Sequence, residues 1–360
     1  MDLAEDDVDD LAAGATLLGS GGGGDTAMVA AVLRHALAAS GPVRLVDAAG
    51  LPPGALVVPV AATGGITVMI ERLPSGEEFV NAVRSLGRHV GRPVTAVHGF
   101  ECGGANALFA VAAAVWTGLP LVDADGMGRA YPRVDQVTFN AGGLSATPAA
   151  LADPSGNELI ISGARDNADA ERMLRAALPA LGGWAATAIY PMRAADAARC
   201  GIAGSISGAV ALGRRLREAQ GDPGARAGML ADHGAGLLFT GTIVEVLGHP
   251  RPRTGGALTV EHHADPRRTL RVEFADEYLL AIDDGEITAQ VPDIIALLDG
   301  RSWRPVAAEH VTAGRHVDVV RFPAPAAWSR PAARRLVTPD AFGLRVPGPG
   351  HDALLAYPPA

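Results

Sequence analysis

The run LAAGATLLGSGGGGDTAMVAAVLRHALAAS, residues 11–40, decides which fold the chain builds around. Its centre, Gly19-Ser20-Gly21-Gly22-Gly23-Gly24, satisfies GxGxxG, and Asp47 ends a strand-like segment at a suitable distance beyond it. A dinucleotide loop, however, needs a strand directly before its glycines. Here LAAGATLLG follows Asp9 and Asp10, residues that can cap a helix, and it reads at least as well as a helix as it does a short strand. Beyond the glycines, TAMVAAVLRHALAAS is a helix with Asp25 near its N-cap. Four glycines in a row also meet many patterns by accident. The loop therefore stands open between a nucleotide site, another anion site built from backbone N–H groups, and a sharp structural turn.

Working outward, VRLVD (43–47), ALVVPVAA (55–62), PVTAVHG (93–99) and PLVDADG (120–126) read as strands. A charged helix from Glu77 to about His89 and an apolar one over residues 107–118 lie between them. Strands alternating with helices predict an α/β domain with a mostly parallel sheet over residues 1–170. Residues 171–235 read as helical, broken at Gly182-Gly183 and Pro191. From 236 to 322 short alternating runs follow (GLLFTGTIVEVL, GALTVEHH, TLRVEFADEYLLAI, EITAQV, HVDVVRF), with a turn at Asp284-Gly285. They predict a β-barrel-like all-β domain within a C-terminal part spanning 171–360, ahead of a Pro-rich, irregular tail.

With 360 residues the chain is long enough for two domains, and with aromatics at 4% its cores must be built from Ala, Val, Leu and Ile. Lys plus Arg total 30 against 39 for Asp plus Glu, a formal charge of −9, which argues against nucleic acid or anionic lipid as a partner. Two cysteines without CxxC spacing exclude a disulfide scaffold or a Cys-rich zinc site. The acidic start MDLAEDDVDD is unlike a signal peptide, and no apolar run is long enough to span a membrane. A cytoplasmic location is the expectation.

Two further loops carry polar side chains directly after strands, where parallel sheets place ligands. One is Glu101-Cys102-Gly103-Gly104-Ala105-Asn106, and the other runs from Asp123 and Asp125 through Gly126 to Arg129. Asp123 and Asp125 are two apart, so in extended chain they point the same way. Either these acids meet Glu101 in one site, or they cap a turn that Arg129 neutralises. Cys102 is a possible nucleophile if activated, with His98 near in sequence, or a packed thiol. His249, His262 and His263 lack ligand spacing and read as surface or turn residues. Asp276-Glu277, set in an otherwise apolar strand run, is placed to face a cleft between the domains.

These segments occur in a telling order: LGSGGGGD (18–25), Glu71-Arg72 after a Gly-rich loop, ECGGAN (101–106), VDADGMGRAYP (122–132), a strand ending at Glu277, VPDIIALLD (291–299) and TPDAFG (338–343). Together, over about residues 8–345, they resemble the S-methyl thiohydantoin desulfurase family. The resemblance implies an N-terminal α/β domain, a C-terminal part with a β-barrel-like core, and hydantoinases as genomic neighbours. The activity it implies is hydrolytic: an S-methyl thiohydantoin becomes a hydantoin and methanethiol leaves. The chain departs from the family's pattern at Cys102, often aliphatic or Gly, at Tyr131-Pro132-Arg133, commonly Phe-Pro-Glu, and at Ala107, often Ser. The first departure argues against a Cys102 nucleophile.

That chemistry needs water to add at an amidine-like carbon and a thiolate to leave, so it calls for a base and an acid. Glu101, Asp123 and Asp125 are the expected catalytic group, with Cys102 and Glu277 as further candidates. Gly22, Gly23, Gly24, Asp25, Glu71, Gly103, Gly104, Asn106 and Arg129 are the expected substrate-binding set. Clustered acids could also hold a divalent metal, of unspecified identity. Two other classes compete with the enzyme: a non-catalytic partner subunit of a hydantoinase-type enzyme, and a nucleotide- or anion-binding sensor. The partners expected are a small-molecule substrate, a hydantoinase-type protein, and further copies of the chain in a homo-oligomer.

Overall fold

The computed structural model describes residues 1–248 and 255–344; His249 and the end of the Pro-rich tail lie outside them. The first sheet runs, edge to edge, Asp2–Leu3, Val43–Val46, Leu121–Val122, Ala96–Gly99, Leu56–Gly64, Trp184–Ala188, Ala149–Ala152 and Glu158–Ile161, and Met192–Arg193 also pairs with Leu56–Gly64. Four consecutive strands, from Val43–Val46 to Leu56–Gly64, are parallel, and the flanks are antiparallel. The sheet is thus mixed rather than mostly parallel. Ala149–Ala152 and Glu158–Ile161 are joined by too short a connection for a parallel crossover, so they can pair only as a hairpin.

Trp184–Ala188 comes from the stretch expected to be helical, yet it is a fully buried strand alongside Leu56–Gly64. Its residues, apolar except for Thr187, carry no periodicity that separates a buried strand from a buried helix. The sheet therefore draws a strand from beyond residue 170.

The segment before the glycines is helix α1 (Val8–Leu18), and α2 (Thr26–Ser40) follows them, capped by the Asp25 carboxylate, which accepts the Ala27 N–H at 2.8 Å. Helix α3 (Glu77–Val90) has acids in its first turn, Arg88 and His89 in its last and a left-handed Gly91 as its stop. Helix α4 (Ala105–Thr117) is buried on almost every side, which its many alanines permit. Helix α5 (Ser205–Glu218) packs along α1.

The second sheet has eight antiparallel strands in the order Glu286–Gln290, Tyr278–Asp283, Thr269–Phe274, Gly256–His262, Gly236–Leu247, His316–Phe322, Ile294–Asp299 and Pro305–Val306. Its two end strands do not pair among the described residues, so no closed barrel forms. The expected turn at Asp284-Gly285 is present, both residues having positive φ, as a tight hairpin requires. Alternation along Ile294–Asp299 serves two cores. Ile295 and Leu297 face the sheet's own interior, while Ile294, Ala296 and Leu298 pack with Leu17 of α1 and Leu212 and Leu216 of α5. Burial on both faces holds the second sheet against the first domain.

Candidate functional site

A cleft of about 380 Å³ opens between the two domains. Gly21–Gly24 and Asp25 form one wall, the strand end Ala61–Gly65 and Phe100-Glu101 another, Tyr131–Val134 a third, and Ala275–Glu277 of the second sheet closes it. The strand ends are the C-terminal ends of parallel strands, where loops diverge and leave a crevice.

Glu101 lies buried in this wall. The Asn106 amide donates to its Oε1 at 2.6 Å, and Asn106 is itself fixed by the Ala62 N–H, which donates to Oδ1 at 2.7 Å. Oε2 accepts no hydrogen bond from the described residues. Burial pushes the Glu101 carboxyl up to about 8; the Asn106 hydrogen bond opposes this and the Asp125 charge adds to it.

Glu277 faces the same cleft from the second domain and is 2% exposed. It sits in the turn between Thr269–Phe274 and Tyr278–Asp283, not within a strand, and its Oε2 has no partner among the described residues. Burial, then the neighbouring Asp276, hold its carboxyl well above the usual range; Arg129 opposes and Glu101 reinforces the shift. A side chain at Gly22 would run into Glu277, so the glycine loop must be bare where the second domain approaches.

Not all of the expected binding residues reach the cleft. Gly22, Gly23, Gly24, Asp25 and Asn106 line it. Gly103 and Gly104 do not: a Cβ on Gly104 would collide with the Gly23 carbonyl, and one on Gly103 with the Ala130 N–H. The second glycine pair exists so that two backbones can touch, and the Ala105 N–H donates to the Gly23 carbonyl at 2.8 Å. Glu71, the last residue of the short helix Ile66–Glu71, is exposed and away from the cleft.

Arg129 is fully buried as a strut between domains. Its Nη1 donates to the carbonyls of Pro292 and Asp293, its Nε to that of Ala130, and its guanidinium lies 4.9 Å from the Tyr131 ring centre.

The two aspartates separate. Asp123 caps α5: its Oδ1 accepts the N–H groups of Ile206 and Ser207 at 3.1 and 3.0 Å, and its Oδ2 the Ser207 hydroxyl at 2.6 Å. Asp125 turns inward, and one oxygen accepts the N–H groups of Cys102, Met127 and Gly128 at 2.9, 2.9 and 2.7 Å. The same-side expectation fails because the chain bends between them. Leu121–Val122 belongs to the large sheet, whereas Ala124–Asp125 pairs with Ile202–Ala203. Neither acid lines the cleft. Cys102 is packed in the core, and burial followed by the Asp125 charge pushes its thiol well up, the opposite of an activated nucleophile.

Comparison with known proteins fits this architecture. The N-terminal domain of the S-Me-THD-like proteins matches residues 6–163, and their C-terminal domain matches residues 165–348. The chain belongs to the S-methyl thiohydantoin desulfurase family. A crystal structure of a protein from Chromobacterium violaceum superposes with a TM-score of 0.79 at 27% identity, covering 95% of this chain and 96% of that one. A search of curated proteins gave no match.

The cleft adds residues that the sequence did not single out, Phe100, Arg175 and Glu309, and it also takes in Tyr131 and Arg133, which the sequence marked only as departures from the family pattern. Arg175 comes from Asn167–Ala177, where it pairs with Glu171 at 2.8 Å and donates to the Pro132 carbonyl at 2.6 Å. A lone arginine on an amphipathic helix gives no sequence signal of this. Among the described residues no three His, Cys, Asp or Glu side chains are grouped to share a metal ion. Nor is any described helix long and apolar enough to cross a membrane.

Proposed function

We propose that this chain hydrolyses an S-methyl thiohydantoin to the hydantoin and methanethiol, with Glu101 and Glu277 as the proton-transfer pair. The observation that carries this reading is the meeting, in one cleft, of two buried carboxyls, each with an oxygen lacking a partner among the described residues. Family membership supplies the reaction class.

Glu277, held protonated, donates to the ring nitrogen as water adds to the carbon bearing the methylthio group. Glu101, whose ionised form the Asn106 hydrogen bond favours, takes a proton from that water. The tetrahedral intermediate then collapses. Its hydroxyl proton returns to Glu277, the C–S bond breaks, and the departing sulfur takes the proton from Glu101. Water's oxygen ends as the ring carbonyl, the ring nitrogen keeps one hydrogen, methanethiol carries the other, and both glutamates are restored. Asn106 fixes the Glu101 carboxyl plane.

The nucleotide-sensor alternative loses its main support, because a helix rather than a strand precedes the glycines. Methanethiol release by the purified chain alone, from S-methyl thiohydantoin substrates, tests the enzyme against the partner-subunit reading. Release abolished by Glu101→Gln with an unchanged melting curve is the expected result. No release by the wild-type chain until a hydantoinase-type protein is added would favour the partner subunit.

A further inference from the structure

The outer face of the second sheet carries a cluster that the cleft does not use. Thr242 lies near the middle of Gly236–Leu247, hydrogen-bonded across to both neighbours: it stands opposite His316 on one side and Glu261 on the other. His263 follows the end of Gly256–His262. Its Nε2 lies 2.9 Å from His316 Nδ1, and the Thr242 Oγ1 is 2.8 Å from His316 Nδ1 and 3.3 Å from His263 Nε2. The rings meet edge to face with centres 5.0 Å apart, and both histidines are exposed.

We propose that His263, His316 and Thr242 form a surface site for a divalent late-transition-metal cation. Imidazole nitrogens bind such ions at about 2.0–2.1 Å, so two in adjacent positions of a square-planar or octahedral shell stand about 2.9 Å apart. The two histidine nitrogens have that separation, and the Thr242 hydroxyl lies within hydrogen-bond distance of both. Solvent would fill the remaining positions. Two of the donors are set by the sheet, since Thr242 and His316 stand opposite each other on adjacent antiparallel strands, and His263 follows directly on a third, which limits the ordering left for the ion to impose. With neutral rings both presenting lone pairs, the Thr242 hydroxyl has one hydrogen for two acceptors. An ion satisfies all three atoms together, whereas the cation-free cluster must place a ring proton between the histidines.

The test uses the full chain titrated with NiCl2 by calorimetry, and with one equivalent of CuCl2 by electron paramagnetic resonance. His263→Ala and His316→Ala are each expected to lower Ni²⁺ affinity at least about tenfold, the minimum scale for disturbing a metal's ligand set. Thr242→Val should weaken binding less, because both imidazoles remain, while His35→Ala and His89→Ala leave it unchanged. The copper signal should show coupling to two imidazole nitrogens. Melting curves confirm that each variant folds, which these exposed positions permit. Equal titration of the wild type and the His263→Ala/His316→Ala double variant, or copper coupling to one imidazole, would overturn the site.

Discussion

Two regions of this molecule hold buried acids, and they differ in one respect. Around Asp123 and Asp125 the carboxylates hold backbone away from the cleft: the first caps α5, and the second gathers three backbone N–H groups onto Oδ2, leaving a buried Oδ1 that does not line the cleft. In the cleft, Glu101 and Glu277 each keep an oxygen that no described residue satisfies. A buried polar atom without a partner costs stability, so a site that retains two of them is organised for something other than stability. An acid wrapped in backbone N–H groups holds a loop, while an unsatisfied oxygen that faces a cleft is available to a ligand. Under the proposed function, the contrast gives architecture to the Asp123–Asp125 loop and chemistry to the cleft.

The sharpest way to break this contrast is turnover. Glu101→Gln and Glu277→Gln should each reduce methanethiol release by about 10²-fold or more, the scale of a lost acid–base group, while the melting temperature holds or rises. Normal turnover in both would remove the cleft from the mechanism. Asp125→Ala should behave in the opposite sense. With three buried N–H groups left unpaired at roughly 1 kcal/mol or more each, it should cost about 3 kcal/mol of stability, read from a urea midpoint. A stable Asp125→Ala protein that had lost only activity would reverse the assignment.

The pH dependence sharpens the same point. The Glu101 carboxyl is raised from 4.5 to about 8, so between those values the folded chain binds more protons than the unfolded one. Its contribution to stability is full below about pH 4.5 and is lost as pH rises through about 8. The urea midpoint should therefore fall across that window, and less steeply in Glu101→Gln. Turnover should climb towards pH 8 as Glu101 becomes able to act as base, so stability and activity run in opposite directions. A profile of stability with no difference between wild type and Glu101→Gln would contradict the buried, proton-retaining environment. The smallest effect belongs to Asp123→Ala, which removes a helix cap. It should cost about 1 kcal/mol and leave kcat/KM within a factor of two of wild type. A larger drop in kcat/KM at unchanged stability would return Asp123 to the site.

Much of this was legible before any coordinates. The helix at Thr26–Ser40, its Asp25 cap, and the strands Val43–Val46, Leu56–Gly64 and Ala96–Gly99 follow from periodicity and local capping chemistry, which act over a few residues. The break of Asp276-Glu277 into an apolar run pointed to the cleft for a similar reason, since an acid there must have some compensation. Asp123 and Asp125 were misleading because their spacing is a local fact, whereas their orientation depends on a bend that only the pairing with Ile202–Ala203 produces.

The sequence by itself determined the local elements, the change from α/β to β patterning near residue 236, and the family, since each rests on short-range pattern or ordered motifs. Tertiary structure alone decided that Trp184–Ala188 completes the first sheet, that Gly103-Gly104 packs against the glycine loop instead of binding a ligand, and which acids keep a free oxygen. Those outcomes depend on partners more than a hundred residues away in the case of Glu101 and Glu277. A carboxylate's protonation and availability are properties of its surroundings, and a linear sequence does not specify those until the chain has closed around it.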